Sequence, residues 1–583
     1  MPVYLEVEVH GRRVSITPRE RDVLIARCRP LESDEPFPQA ASSRAIAAEL
    51  VVSEAAVKQH LLNLYAKFAV PDGTDNRRLQ LATVAIRAGA VDGQIRPSRA
   101  PVDGRRAAAQ DAMTRRDWAT AVATLSSIDT DPAQALDPAE LDALADATRW
   151  SGNVDQALAT RERAHALAIR GADPRMAAWT ALGLVVDAIL LMQFASASGW
   201  QATARRALEG QPEGREHGYL AFTLALVETT GDAAEAGIEH ARKALSIGRR
   251  LGDRDLEVLG IVFEGFGLAR LGRIEAAFPL LDEAMAAVAT GELGPLATGL
   301  VYCRTVSACL DAFDYRRAYE WTEAIRRRGV AIGSIGFPGD CRTHRAAVHL
   351  AHGDWGLGAE EAELACVETI SFDRGHTALA LTGLGEIRLR QGAFDDAESA
   401  FHRALGLGMD PQPGRARLVL ARGDVHAAFG AIRTAVADAG EDAVRLAALL
   451  PAQAEIEIAA GDIAAARSTA DRLHGVVGAS RSAALRASVA MVDGLVLLAD
   501  GDSVGATGPL RQAVRGWLEI GAPFEAGRSR FALAQALQAR GDAESAQLEA
   551  GAARDAFDRL GAGPDREACD RFLARRGAVP ADA

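Results

Sequence analysis

The stretch SSRAIAAELVVSEAAVKQHLLNLYAKFAV, residues 42–70, is where side-chain type and spacing point most clearly to chemistry. Val57, Leu61, Leu64 and Phe68 recur at three- and four-residue intervals, the spacing of one apolar helix face. That phasing turns Glu54, Ala55, Lys58, Gln59, Leu62 and Asn63 outward. On such a face lysine donates to guanine and glutamine reads adenine. Ser53 and the amides beneath it at the helix N-terminus suit a phosphate. Arg44, Lys67, Arg77 and Arg78 add charge for a nucleic-acid backbone. His60 has two readings, packing on the core of the helix pair or bonding a phosphate.

The elements that hold these residues follow from local chemistry. Ser42 or Ser43 caps a short helix whose Ile46, Ala47 and Leu50 share one face; Val51 and Val52 carry the turn, and Ser53 caps the longer helix. A short helix, a tight turn and a capped second helix form the bihelical unit that places its second helix in a major groove. Upstream, YLEVEVHGRRVSI alternates by twos across His10-Gly11 and predicts a small β-hairpin. A helix then opens at Thr17-Pro18, with Glu20 at the capping-box spacing and Val23, Leu24 and Cys28 facing inward. The proline-rich PLESDEPFPQAA that follows is a loop.

The run from Thr17 to Val70, with TPRERDVL, AIAAEL and VSEAAVKQHLLNLYAKFAV, resembles the LuxR-type (GerE-like) DNA-binding domain of bacterial response regulators and quorum sensors. The resemblance rests on the opening Thr-Pro-Arg-Glu-Arg, the Ile-Ala pair before the turn, and the spacing of Ser53, Val57, Lys58, His60, Leu61, Tyr65, Lys67 and Val70. It implies that Lys58 and Gln59 reach base edges, and that a fourth helix over residues 77–91 forms a homodimer surface through Leu79, Ala82, Ile86 and Val91. Three departures stand out: a longer loop after Cys28, Ala56 where a threonine is common, and PDGTDN (71–76) inserted before Arg77. Losing the threonine hydroxyl removes one candidate phosphate contact.

From residue 150 a second pattern takes over. A glycine, a polar residue and a small helix starter return roughly every forty residues, as GNVDQA at 152, GDAAEA at 231, GRIEAA at 272, GDWGLG at 353, GAFDDA at 392, GDVHAA at 423, GDIAAA at 461, GDSVGA at 501 and GDAESA at 541. FDYRRA at 313 fills the same place. Each phrase reads as the turn of a helical hairpin, glycine relieving the end of one helix and aspartate capping the next. A lone hairpin cannot bury its own apolar stripe, so the hairpins should stack, each touching mainly the ones before and after. The pattern resembles the long-period, degenerate tetratricopeptide repeats that follow regulatory domains in large bacterial transcription factors.

Composition agrees with packed helices: alanine and leucine dominate, and aromatics make up only 5% of 583 residues. The net charge of −13 is uneven, since residues 1–116 hold 18 Lys and Arg against 14 Asp and Glu. A weakly basic head on an acidic body permits DNA binding by the head. Six scattered cysteines without a CxxC read as reduced core thiols. His349 and His352 share a helix face, but no neighbouring carboxylate or cysteine completes metal-ligand spacing. The chain contains no GxxxxGK[ST], GxSxG or HExxH, and the apolar stretch 181–195 is short and interrupted by Asp187.

The sequence therefore predicts an all-α chain, with a helix-turn-helix domain carrying a small β-hairpin at 1–92, a linker at 93–107, a tetratricopeptide-like α-solenoid at 108–565 and a C-terminal cap and tail at 566–583. The expected function is that of a cytoplasmic, non-enzymatic transcription regulator without cofactor or metal. It would bind double-stranded DNA as a homodimer, with a protein, peptide or small effector on the repeat array. The alternative is a protein-interaction scaffold in which the helix-turn-helix serves dimerisation or weak DNA tethering.

Overall fold

The computed structural model describes residues 5–9, 12–28, 41–50, 52–68, 70, 81, 82, 84, 85, 102–130, 134–231, 233–327, 340–370, 373–478 and 482–574. They belong to two units, 1–135 and 136–583. Among the described residues the fold is all-α apart from one two-stranded hairpin, and the second unit is a tetratricopeptide-like solenoid.

In the first unit, β1 (Leu5–Val9) pairs antiparallel with β2 (Arg12–Ile16) in a register running from Leu5 opposite Ile16 to Val9 opposite Arg12. Helix α1 (Pro18–Cys28) starts with the expected capping box: the Glu20 amide donates to Thr17 Oγ1 at 3.2 Å, and the Thr17 amide to Glu20 Oε2 at 2.9 Å. Helix α2 (Ser43–Leu50) is capped by Ser42, which accepts the Ala45 amide at 3.1 Å. Helix α3 (Glu54–Lys67) is capped by Ser53, which accepts the Ala56 amide at 3.2 Å. Ile16, Val23, Leu24, Cys28, Ile46, Val57, Leu61, Leu64 and Phe68 close one core, joined by Leu81, Ala82 and Ala85.

Two expectations need correction here. Ala82, read as part of a homodimer surface on 77–91, is fully buried inside this chain's own core. The small bihelical unit has too little surface of its own to bury Val57 and Leu61, so the downstream segment covers it. Leu79, Ile86 and Val91 lie outside the described residues. The segment read as a linker at 93–107 turns helical at Val102, where the helix Val102–Thr114 begins. Its Arg-Arg-Ala-Ala-Ala run has strong helix propensity.

In the second unit the turns follow the predicted chemistry. Gly272, Gly353, Gly392, Gly461, Gly501 and Gly541 all have positive φ, between 71° and 94°, a region that costs a residue with a Cβ. Gly231 also lies in a turn. Asp424, Asp462, Asp502 and Asp542 each accept the amide three residues on, at 2.8–3.3 Å. Other glycines serve close approach. A Cβ on Gly260 would lie 2.6 Å from the Leu245 backbone nitrogen, so the helices Ala234–Leu251 and Arg254–Arg270 touch there main chain to main chain. Replacing Asp462 by alanine should cost about 1 kcal/mol through loss of its cap, while Asp462→Asn should cost much less. Urea titration of the two variants, with hydrogen exchange over the first turn of Ile463–Val477, measures this.

The array does more than stack on its neighbours. Ser482 Oγ donates to the Phe313 carbonyl at 3.2 Å, a contact between residues 169 apart in sequence. Trp355 meets Phe524 edge to face at 5.4 Å, and Arg390 lies over the same Phe524 ring while its guanidinium pairs with Glu525 at 3.2 Å. Phe557 and Cys569 share a core with Ala378 and Ile387. The superhelix thus curls until its last repeats pack on its middle ones. The expectation of mainly nearest-neighbour contacts is corrected accordingly: curvature sums small rotations per repeat, and closure follows when the sum brings distant turns together.

Candidate nucleic-acid interface

The capped N-terminus of α3 and its buried stripe fix which residues the helix presents. Val57, Leu61, Leu64 and Phe68 are buried, while Ser53, Glu54, Ala55, Lys58, Gln59, Leu62 and Asn63 are exposed. Leu62 is 55% exposed on the same face. The phase read from sequence therefore holds along the helix, and all six residues expected outward lie on one accessible face with Ser53 at its head.

The face is internally paired. Lys58 Nζ lies 2.9 Å from Glu54 Oε1 one turn earlier, with the two side chains 64% and 46% exposed. Gln59 Nε2 donates to Asn63 Oδ1 at 3.4 Å. Such exposed pairs add little to stability and release their groups cheaply to a stronger partner. The Ser53 hydroxyl is engaged with the Ala56 amide, which holds the first turn and leaves the remaining N-terminal amides pointing out of the helix end. His60 is half-buried, between its two readings.

Lys67 is placed differently from its sequence reading as a backbone-charge residue. Its Nζ lies 2.6 Å from Oε2 of Glu20, whose side chain is only 4% exposed, so it ties the end of α3 to the start of α1. A carboxylate buried at a capping box needs a counter-charge, and the last turn of α3 supplies it. Burial raises the Glu20 pKa, but the Lys67 ammonium and the Thr17 amide and hydroxyl overcome it and hold the carboxyl below its ordinary range. Sequence gave no signal for this pair, since its members are 47 residues apart. Arg27 is likewise buried, and its guanidinium bonds the Ala41 carbonyl across the proline-rich segment. The Arg44 side chain and residues Arg77 and Arg78 lie outside the described residues.

Glu20→Gln keeps the capping-box acceptor and removes the ion pair, so at neutral pH it should destabilise the first unit by about 1 kcal/mol. Because the folded pKa of Glu20 is depressed, the wild-type advantage is present above the unfolded carboxylate pKa and disappears as pH falls through the folded value. Thermal melts of both proteins from neutral to acidic pH should converge at the acid end.

Elsewhere, Asp354 Oδ2 lies 3.5 Å from His349 Nδ1 and 3.3 Å from His352 Nδ1, supplying a carboxylate that the sequence reading had not placed beside these histidines. The His352 ring also stacks on Tyr319 at 3.5 Å. Among the described residues, no group of three or more His, Cys, Asp or Glu is gathered for a metal ion, and no helix is long and apolar enough to cross a membrane. All six cysteines are buried.

No family model matches the sequence, and no curated protein matches it. Among solved structures it is similar to yeast Tom70, at 13% identity over 81% of this chain and 96% of that chain with a TM-score of 0.33. It is also similar to a chain of the APC/C hetero-tetramer Cut9-Hcn1, at 13% identity over 79% and 87% with a TM-score of 0.38. A third is the apo form of the quorum sensor NprR from B. thuringiensis, at 11% identity over 65% and 97% with a TM-score of 0.32.

Proposed function

We propose that the chain is a sequence-specific transcription regulator of double-stranded DNA. In this reading residues 1–92 act as a LuxR-type helix-turn-helix domain, and the helical array receives an effector. One observation carries it: the side chains suited to base edges and phosphates lie together on the exposed face of a capped helix whose opposite face is wholly buried. With α3 in a major groove, the ammonium of Lys58 leaves Glu54 for the O6 and N7 of a guanine, Gln59 addresses an adjacent adenine, and the N-terminal amides meet a phosphate. The chain acts by binding, without catalysis.

One helix reads few base pairs, so the regulator binds as a homodimer on an inverted repeat. Its contact excludes Ala82, which is committed to the domain's own core. Selection from a random duplex pool by the intact protein tests the reading. The expected result is an enriched inverted repeat bound by two chains in sedimentation. Recovery of unselected sequence, or one chain per site at saturation, overturns it.

A protein partner for the array is favoured by a second observation. On the helix Trp355–Thr369, Leu357, Leu364 and Val367 follow one another at seven- and three-residue spacing and are 52%, 39% and 76% exposed, an apolar stripe along one helix side that suits a partner. If the intact chain selects no DNA yet retains a protein through this helix, and Val367→Asp abolishes the retention, the scaffold reading replaces the regulator.

A further inference from the structure

Closure of the superhelix leaves an open-sided cavity of about 1240 Å³ between the turns around residues 266–317 and those around 442–485, with Glu519 and Ile520 at one side. That is somewhat above the roughly 300–1,000 Å³ typical of small-molecule sites. Its character is specific. Phe266, Phe278 and Phe313 supply aromatic walls, and the described lining residues carry six carboxylates against four guanidiniums.

Two features show what this wall is made to hold. Arg317 already lies over the Phe278 ring at 4.4 Å while Asp282 and Asp314 bind its guanidinium, so the wall accepts a planar cation on an aromatic face between carboxylates. Arg316 is likewise taken up, by Glu320 at 2.8 Å. Asp311, in contrast, ends the helix Pro295–Asp311, where a negative charge opposes the helix dipole; its side chain is solvent-exposed at the cavity's edge, and among the described residues it has neither hydrogen bond nor ion pair. Loss of solvation raises its pKa, with Arg270 opposing and Asp442 reinforcing.

Phe313 is the second feature. It has φ +56° at the turn position filled by Gly272 and Gly353 in flanking repeats, a backbone shared at other turns by Arg116, Ala172 and Met192, and here it places an aromatic residue beside the cavity. Its ring lines the cavity, and its carbonyl receives the Ser482 bond that closes the superhelix.

We infer that this cavity is a binding site for a planar, largely apolar organic cation, its charge placed at Asp311 and its rings against the phenylalanines. The inference deepens the effector half of the proposed function and rests on it only in assigning the array a ligand. Occupancy touches the residue that closes the superhelix, which gives the ligand a direct hold on the array's shape.

The test is fluorescence anisotropy of the intact protein with two xanthene dyes of similar ring system and opposite charge, rhodamine 6G and fluorescein. No DNA is present, so failure here and failure of DNA binding are separate results. Rhodamine 6G should bind about tenfold or more tightly than fluorescein. Asp311→Asn should weaken rhodamine 6G about fivefold or more and leave fluorescein unchanged. This variant removes an acid from a helix C-terminus, so folding is not at risk. Glu235→Gln, which removes an exposed acid on the helix Ala234–Leu251 that is not among the lining residues, should change neither. Equal affinity for the two dyes, or rhodamine 6G binding that survives Asp311→Asn or falls equally in Glu235→Gln, overturns the assignment.

Discussion

Replacing Arg161 by leucine should destabilise the array by roughly 3–5 kcal/mol, the largest single-residue effect expected in the molecule. Arg161 lies on the helix Val154–Arg170, almost wholly buried between the helices Pro138–Trp150 and Pro174–Leu190. Its Nε donates to Asp142 at 2.6 Å, and its two terminal nitrogens bind Asp146 and Asp187. Arg149 holds Asp146 and Asp187 from the other side at 2.8 Å, and Trp179 Nε1 donates to Asp142 at 2.8 Å. Burial opposes the charge on Arg161, but the three carboxylates outweigh it and hold the guanidinium firmly protonated. Gly183 leaves it room, since a Cβ there would lie 2.6 Å from the Arg161 side chain.

Leucine in that place leaves Asp142, largely buried, without its guanidinium and Asp187, fully buried, with half its support. Arg161→Lys should recover only part of the loss, because one ammonium cannot match three separated carboxylates as a planar fork does. Urea titration followed by tryptophan fluorescence measures this, with Trp179 inside the network as reporter. A loss below about 1 kcal/mol would mean that the carboxylates rehydrate and that the network is not a structural tie.

Lys58→Ala should remove roughly 1–3 kcal/mol of preference for the operator over scrambled DNA and leave the fold intact. The pair it forms with Glu54 is exposed and contributes only a few tenths of a kcal/mol, and alanine is the better helix former. Nonspecific affinity should fall only slightly, since one phosphate-range charge is lost. Glu54→Ala should act oppositely on nonspecific binding, because it removes an anion from the face that approaches DNA. Titrations of the three proteins against both DNAs at several salt concentrations separate base reading from general attraction. If Lys58→Ala binds both DNAs as wild type does, α3 does not present this face to the bases.

The elements of the candidate site were legible because they are local. Thr17 with Glu20, Ser42 and Ser53 each announce a helix start within three residues, and the stripe from Val57 to Phe68 fixes a face without reference to anything distant. The turns of the array were legible for the same reason, since a glycine followed by an aspartate satisfies the backbone at both sides of the break. What escaped sequence reading depends on contacts far apart along the chain. The Glu20–Lys67 tie, the commitment of Ala82 to the core and the closure from Phe313 to Ser482 have no local signature. Asp187 lies between these cases: it spoils an apolar stretch in the sequence, and the partners that make its burial tolerable come from two other helices.

The proposal that α3 enters a major groove is tested most directly by methylation protection with dimethyl sulfate, which attacks guanine N7 on the major-groove edge. Intact protein on its selected operator should protect guanines in both half-sites, centred one helical turn apart. In Lys58→Ala one of those guanines in each half-site should become reactive again while its neighbours stay protected. Bound DNA whose guanine N7 positions react as freely as naked DNA, or a Lys58→Ala pattern identical to wild type, would contradict it.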